Sequence, residues 1–154
     1  GNIGIEERCD GLTDTFTGEV VRFNVATTGV RDIPGTLATI QDKLIAESDI
    51  DGILALNPNI ADAAMQAIEA VGGSQKLATF DLSPDVLEAI EAGKMMFAVD
   101  QQQYLQGYLP VVFLYLYNAN ANTVGGGLPV LTGPGIVDAS NAAAVKDLAA
   151  AGTR

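Results

Sequence analysis

Hydrophobic residues along this chain occur either in short continuous runs or in longer stretches with a helical period. The short runs, rich in Val, Ile, Leu and Ala, are typical of strands buried in a sheet. They lie at 20–26, 52–56, 76–80 and 95–99, and 128–131 is a last extended segment. The stretches with a helical period lie at 5–16, 36–48, 58–71, 84–92, 102–118 and 141–151. This alternation predicts an α/β fold with an open, mostly parallel sheet and helices on both faces.

Helix boundaries are marked at two of these stretches. Asn57-Pro58 and Ser83-Pro84 each place a strong N-cap residue before a proline at the first helical position. Gly72-Gly73 ends the first of the two helices. Gly125-Gly126-Gly127 lacks the Lys-Ser/Thr of a phosphate-binding loop, so we interpret it as a turn.

Composition then excludes several classes of function. The net charge of -11 offers no basic surface for nucleic acid or anionic lipid. The chain has no His and one Cys, Cys9, which we expect to be a small buried hydrophobe. Most metal sites and catalytic triads need residues that are missing here, so we predict no enzyme, no catalytic residue, no metal and no cofactor.

Polar residues follow three of the predicted strands. Asn57 follows the strand at 52–56, Asp81 follows 76–80, and Asp100 and Gln101 follow 95–99. Ligands of open α/β sheets bind beyond the carboxyl ends of the strands, so these residues are candidates for a binding site. Arg8, on the first helix, is a further candidate.

Each candidate also has a purely structural interpretation. Asn57 is a helix cap whether or not it binds a ligand. Gln101 either caps a helix, faces solvent or binds, and Arg8 either forms a surface ion pair or binds. Asp81 favours ligand contact because Ser83 already occupies the cap position. Together, Asp accepts, Arg donates, and Asn and Gln do both, which suits the hydroxyl groups of a sugar.

Five segments, in order along the chain, resemble the type I periplasmic sugar-binding proteins of the ribose and galactose kind. They are IEERCDG at 5–11, SDIDGILALN at 48–57, TFD at 79–81, AVDQQQYLQGY at 98–108 and LTGPGIV at 131–137. The third has Thr where the family has Gly, and the last is similar to its closing strand. The resemblance implies a lobe of the flavodoxin-like type that binds a small sugar or polyol for an ABC importer.

The resemblance also implies the site residues. Arg8, Asn57, Asp81 and Gln101 match the family's binding positions. Arg31 lies near the position where many members place an aromatic residue that stacks on the sugar, and it either enters the site or lies in an exposed loop. The alternative function is the effector-binding domain of a LacI-type transcriptional regulator, which shares this fold.

The family has two lobes, and residues 1–154 resemble the larger part of the C-terminal one as a single domain. The resemblance implies that 101–127 crosses the hinge and that 102–118 packs on an N-terminal lobe preceding residue 1. Apolar residues surround the helix at 102–118, so we expect either that contact or a homodimer. The implied partners are a sugar or polyol and an ABC permease, and the implied location is periplasmic or extracellular, attached to the membrane in a Gram-positive source.

Overall fold

The protein is described from a computed structural model that covers residues 3–25 and 32–154. The helices are α1 Ile3–Thr15, α2 Ile33–Ala46, α3 Pro58–Val71, α4 Pro84–Glu91, α5 Gln103–Asn120 and α6 Ala142–Ala150. The strands are β1 Gly52–Ala55, β2 Lys76–Phe80, β3 Phe97–Asp100 and β4 Gly135–Asp138, and Gly125–Gly127 forms a 3₁₀ turn. All six predicted helices are present.

The strands of the described residues form one open sheet in the order β1-β2-β3-β4. β2 and β3 are parallel, with Thr79 opposite Ala98 and Phe80 opposite Val99. β4 runs antiparallel to β3 and pairs Gly135 with Asp100. The prediction of an α/β fold with an open, mostly parallel sheet is confirmed.

The chain divides into two compact units, Gly1–Leu77 and Ala78–Arg154. In the first unit, α2 packs on α3 and α3 packs on β1. The face of α3 that is buried consists of alanines only, Ala61, Ala63, Ala64 and Ala67. Such small side chains allow neighbouring backbones to approach closely, and Ile40 and Leu44 of α2 supply the larger buried side chains.

In the second unit, α4 packs on α6 and β3 pairs with β4. The side chains that fill this core are buried almost completely, and they come from α4, β3, β4 and α6. They are Val86, Leu87, Ile90, Ala98, Val137 and Ala142.

Helix caps follow the sequence pattern. The Asn57 Oδ1 accepts a hydrogen bond from the Ile60 backbone N–H at 3.0 Å, and the Ser83 Oγ accepts one from Val86 at 3.1 Å. These bonds satisfy backbone donors that the first turn of a helix leaves without partners. Gly72 ends α3 with a φ of 64°, a left-handed conformation that glycine adopts without steric cost.

One strand prediction was wrong. Residues 20–25 of the run predicted at 20–26 form no strand, and Ala26 lies outside the described residues. A run rich in β-branched residues becomes a strand only beside a partner strand, and the sheet of the described residues offers this run none. The extended segment at 128–131 lies outside the sheet, and the segment at 131–137 that resembles a closing strand overlaps β4. Cys9 is half-buried rather than buried.

Helix α5 has no buried residue along its 18 positions. Its exposed apolar side chains include Val111 at 67%, Leu114 at 62% and Tyr115 at 69%. Among the described residues, no helix combines the length and apolar character that a membrane crossing requires.

Candidate functional site

Three polar side chains meet at the carboxyl ends of β2 and β3 in the second unit. The Asp81 Oδ1 accepts hydrogen bonds from the side-chain amides of Gln101 and of Gln103, the latter at 2.8 Å. Asp81 follows β2, and the two glutamines follow β3, so the parallel pairing of these strands brings them to one edge of the sheet. This group is called the Asp81 cluster below.

The backbone of Asp81 is in the left-handed region, with a φ of 69°. Its N–H donates to the Val99 carbonyl oxygen at 2.9 Å, which continues the ladder between β2 and β3 by one residue. A residue other than glycine rarely adopts this conformation, and Asp is one of the few that does so at low cost. The chain therefore turns sharply at Asp81, immediately beyond the strand.

Hydrogen bonds tie the turn after β3 to the segment before β4. The Gln102 Nε2 donates to the Thr132 carbonyl oxygen at 2.6 Å, and the Thr132 Oγ1 donates to the Gln101 carbonyl oxygen at 2.8 Å. The Gln106 Nε2 donates to the Gln101 carbonyl oxygen at 3.1 Å and to the Thr132 Oγ1 at 3.2 Å. Two chain segments about 30 residues apart in sequence are thus fixed side by side.

Asp100 is fully buried, with 0% of its side chain exposed. The Arg154 Nε donates to its Oδ2 at 2.7 Å, and the Gln102 backbone N–H donates to its Oδ1 at 2.8 Å. A buried carboxylate needs a charged partner and satisfied oxygens to be tolerated, and here both oxygens accept hydrogen bonds.

In the first unit, Arg8 and Asn57 lie near the carboxyl end of β1. The Arg8 Nη1 donates to the Leu56 carbonyl oxygen at 2.6 Å, directly before Asn57 in the chain. The Asn57 Oδ1 caps α3, and its Nδ2 makes no hydrogen bond to any described residue. Asn57 can therefore cap the helix and offer an amide donor to a ligand at the same time.

The predicted site residues thus fall into two groups. The first unit contains Arg8 and Asn57, and the second unit brings Asp81 and Gln101 into direct contact. Arg31 lies outside the described residues, so its role stays a prediction.

Sequence reasoning missed Gln103 and Arg154. Gln103 could have been found as the third member of the Gln101-Gln102-Gln103 run, since a chain leaving a strand end can direct more than one side chain to the same side. No sequence signal joins Arg154 to Asp100, because 54 residues separate them and their contact depends on the fold.

The arrangement provides hydrogen-bonding groups of both kinds. Carboxylate oxygens accept, guanidinium groups donate, and side-chain amides do both, which matches a ligand whose hydroxyl groups are donors and acceptors. Within the described ranges, no group of three His, Cys, Asp or Glu residues is placed to hold a metal ion.

Comparison with known proteins places the chain among binding proteins. The family described as the periplasmic binding protein domain matches residues 4–121. The crystal structure of a carbohydrate transporter from Acidothermus cellulolyticus 11B, in complex with myo-inositol, is 41% identical. It superposes with a TM-score of 0.90 over 99% of this chain and 52% of that chain.

Two curated relatives match over shorter stretches. The xylose/arabinose-binding protein of Sulfolobus acidocaldarius is 27% identical over 124 residues, which are 76% of this chain and 30% of that protein. The ribose import binding protein of Haemophilus influenzae is 29% identical over 114 residues, which are 73% of this chain and 38% of that protein. The chain therefore spans 30–38% of the length of these relatives.

Proposed function

The chain belongs to the periplasmic binding protein domain family, and we propose that it contributes residues to the sugar-binding cleft of an ABC importer's solute-binding protein. The ligand class that we propose is a small sugar or cyclic polyol, held without chemical change. The similar structure at 41% identity contains myo-inositol, and the curated relatives are named for ribose and for xylose and arabinose.

The Asp81 cluster is the observation that carries this proposal. Its carboxylate accepts from two amides, and each amide has an oxygen that can accept a hydrogen bond in turn. A sugar hydroxyl needs one acceptor and one donor, and both lie at the same edge of the sheet. We assign Asp81 and Gln101 to ligand contact, and Arg8 and Asn57 to the same role in the first unit.

Arg31 is the remaining member of the proposed set. An arginine at this place suits a ligand that is acidic or carries many hydroxyl groups, because a guanidinium donates several hydrogen bonds in a fixed plane. Its contribution is proposed from the sequence alone.

We further propose that residues 1–154 act as one C-terminal lobe in which 101–127 crosses a hinge. The exposed apolar residues of α5, none of whose 18 positions is buried, support this proposal, since an apolar helix of this length is stable in water when another surface covers it. That surface is an N-terminal lobe in the intact protein, and a second copy when the 154-residue chain is alone.

The proposed partner is the permease of an ABC importer, and the proposed location is periplasmic or extracellular, with membrane attachment if the source is Gram-positive. Family membership and the binding proteins among the relatives support both. The comparisons do not favour the alternative of a LacI-type regulator.

The test is ligand binding by the intact protein that contains these residues. We would measure thermal unfolding and calorimetric titration with myo-inositol, ribose, xylose and arabinose. A ligand present at 100 times its Kd stabilises the folded state by about 2.7 kcal/mol, which a thermal shift detects. Asp81→Asn should weaken binding at least tenfold, because it replaces a charged acceptor that contributes about 1.5–3 kcal/mol.

The matched control is Asp85→Asn, which changes an exposed carboxylate in the first turn of α4. It should leave the affinity within about twofold, since surface charges contribute little at a distance. Absence of any thermal shift with all four ligands would contradict the proposed function.

A further inference from the structure

The buried carboxylate of Asp100 has no oxygen left for a ligand. Its Oδ2 accepts from the Arg154 Nε at 2.7 Å and its Oδ1 from the Gln102 backbone N–H at 2.8 Å, while the side chain is 0% exposed. Burial of a charge is unfavourable unless an opposite charge and hydrogen bonds compensate it, and here both compensating groups belong to the chain itself. This residue therefore acts on its neighbours in the chain rather than on a bound molecule.

Asp100 lies where two connecting segments meet. It is the last residue of β3 and pairs with Gly135, the first residue of β4. The two segments are in close contact, because a Cβ added to Gly133 would lie 3.0 Å from the Asp100 carbonyl oxygen and 3.3 Å from the Gln101 Cα. The backbone at Asp100 and Gln101 therefore packs closely against the backbone at Gly133.

The turn at Gln101-Gln102 has a backbone conformation that needs support. Gln102 has a φ of 57°, in the left-handed region, and its side chain does not cap α5. The bond from its N–H to Asp100 holds this conformation, and its Nε2 donates to the Thr132 carbonyl oxygen. The amide of the residue before it, Gln101, donates to Asp81.

We propose that Asp100 and Arg154 are positioning residues for the sugar site, acting through Gln101. The ion pair fixes the turn at Gln101-Gln102, and the turn places the Gln101 amide against Asp81. This inference rests on the proposed function. It adds Arg154, a residue without an assigned contact to ligand, to the residues that determine affinity.

A double-mutant cycle tests whether Arg154 acts through Gln101. Arg154→Gln, Gln101→Ala and the double variant would be made in the intact protein and titrated with myo-inositol at a temperature where each is folded. We expect Arg154→Gln to weaken binding about tenfold alone and less than twofold in the Gln101→Ala background, because residues that act as a unit are not additive. Equal losses in both backgrounds, or no loss, would overturn the proposal.

Three further variants complete this test. Thr132→Val removes the hydroxyl that donates to the Gln101 carbonyl oxygen and so loosens the same turn while the Asp100–Arg154 pair stays intact. We expect it to weaken binding two- to fivefold, again only when Gln101 is present. If Arg154→Gln does not fold, Arg154→Lys takes its place in the cycle, since it keeps the charge beside Asp100 but changes the donor geometry. The control is Lys146→Gln, which breaks an ion pair of the same 2.7 Å length elsewhere in the second unit and should leave affinity within twofold.

An NMR measurement separates this proposal from the proposed function. If the wild-type protein binds none of the four ligands, the proposed function fails, and the side-chain amide signal of Gln101 in the ligand-free protein still reports on its bond to Asp81. That signal should move in Arg154→Gln and in Thr132→Val and stay in place in Lys146→Gln. An unmoved signal in Arg154→Gln would show that Asp100 and Arg154 do not position Gln101, whatever the result for Thr132→Val.

Discussion

Helices α4 and α5 both follow a strand in the second unit, yet they bury their apolar residues differently. The eight residues of α4 include four that are buried, Val86, Leu87, Ala89 and Ile90. The eighteen residues of α5 are mostly apolar, and none of them is buried. Polar residues of α4 lie together on the side away from the core, whereas α5 has apolar residues around its circumference.

This difference shows that apolar content alone does not identify the core. The position of the polar residues on a helix determines which face is buried, and a short helix with one polar face fits a two-layer core. A long helix without a polar face has more apolar surface than its own unit can cover. We therefore interpret α5 as a surface for another lobe or another copy, and α4 as a core element.

The largest expected effect is on stability. Leu87→Ala should lower the free energy of unfolding by about 2–5 kcal/mol, since the side chain is 0% exposed and its removal leaves a cavity. Leu114→Ala truncates a leucine of α5 that is 62% exposed. It should change the free energy of unfolding of the 154-residue chain by about 0.5 kcal/mol or less. Urea unfolding followed by circular dichroism measures the free energy of unfolding of both variants. Similar decreases in the two variants would show that α4 and α5 do not differ in their contribution to the core.

The next effect concerns association of the 154-residue chain. Val111 and Leu114 lie three positions apart and so share one face of α5. Two charges there, in Val111→Asp with Leu114→Asp, should raise the dissociation constant of the proposed dimer at least tenfold, because each charge must be desolvated in an apolar contact. Light scattering across a concentration series measures the constant.

The control for association is Ile45→Asp. This residue is 71% exposed on α2 but has no apolar helix surface of comparable length around it. It should leave the dissociation constant unchanged. A wild-type chain that stays monomeric at high concentration would contradict a self-association surface on α5.

Sequence reasoning predicted the elements whose ends are set by local chemistry. Both α3 and β2 have the predicted bounds, because Asn57-Pro58 and Gly72 mark the helix and the apolar run marks the strand. It failed for 20–25, where pairing with another strand decides the outcome. Local sequence does not report whether a partner strand is present.

The same division applies to the candidate site. Asp81 and Gln101 were found because parallel strands bring their carboxyl ends to one edge. The bond between Arg154 and Asp100 was not found, because it joins two distant positions in sequence and depends on how β3 and β4 pair. Contacts near strand ends follow from topology, and long-range ion pairs require the folded chain.

The smallest effect concerns the polar face of α4. Lys146 on α6 lies 2.7 Å from a carboxylate oxygen of Glu91 and 3.7 Å from one of Glu88. The hydrogen bond to Glu91 raises the pKa of Lys146 above that of an ordinary lysine, which is about 10.4. Because the pKa of Lys146 is higher in the folded than in the unfolded state, the ion pair contributes its full stabilisation at any pH below the unfolded pKa. This contribution is lost as the pH rises through the folded pKa.

Comparison of wild type with Lys146→Gln over pH 7 to 11.5 tests this contribution. The difference in Tm should be constant up to a pH of about 10 and should shrink above it, because only the protonated ammonium pairs with Glu91. Lys76→Gln is the control, since Lys76 has no carboxylate partner in the part of the chain that the structure describes. If the difference in Tm between wild type and Lys146→Gln persists unchanged at pH 11.5, Lys146 stabilises α4 through packing of its aliphatic chain and not through its charge. In that case α4 depends on apolar contact on both of its faces.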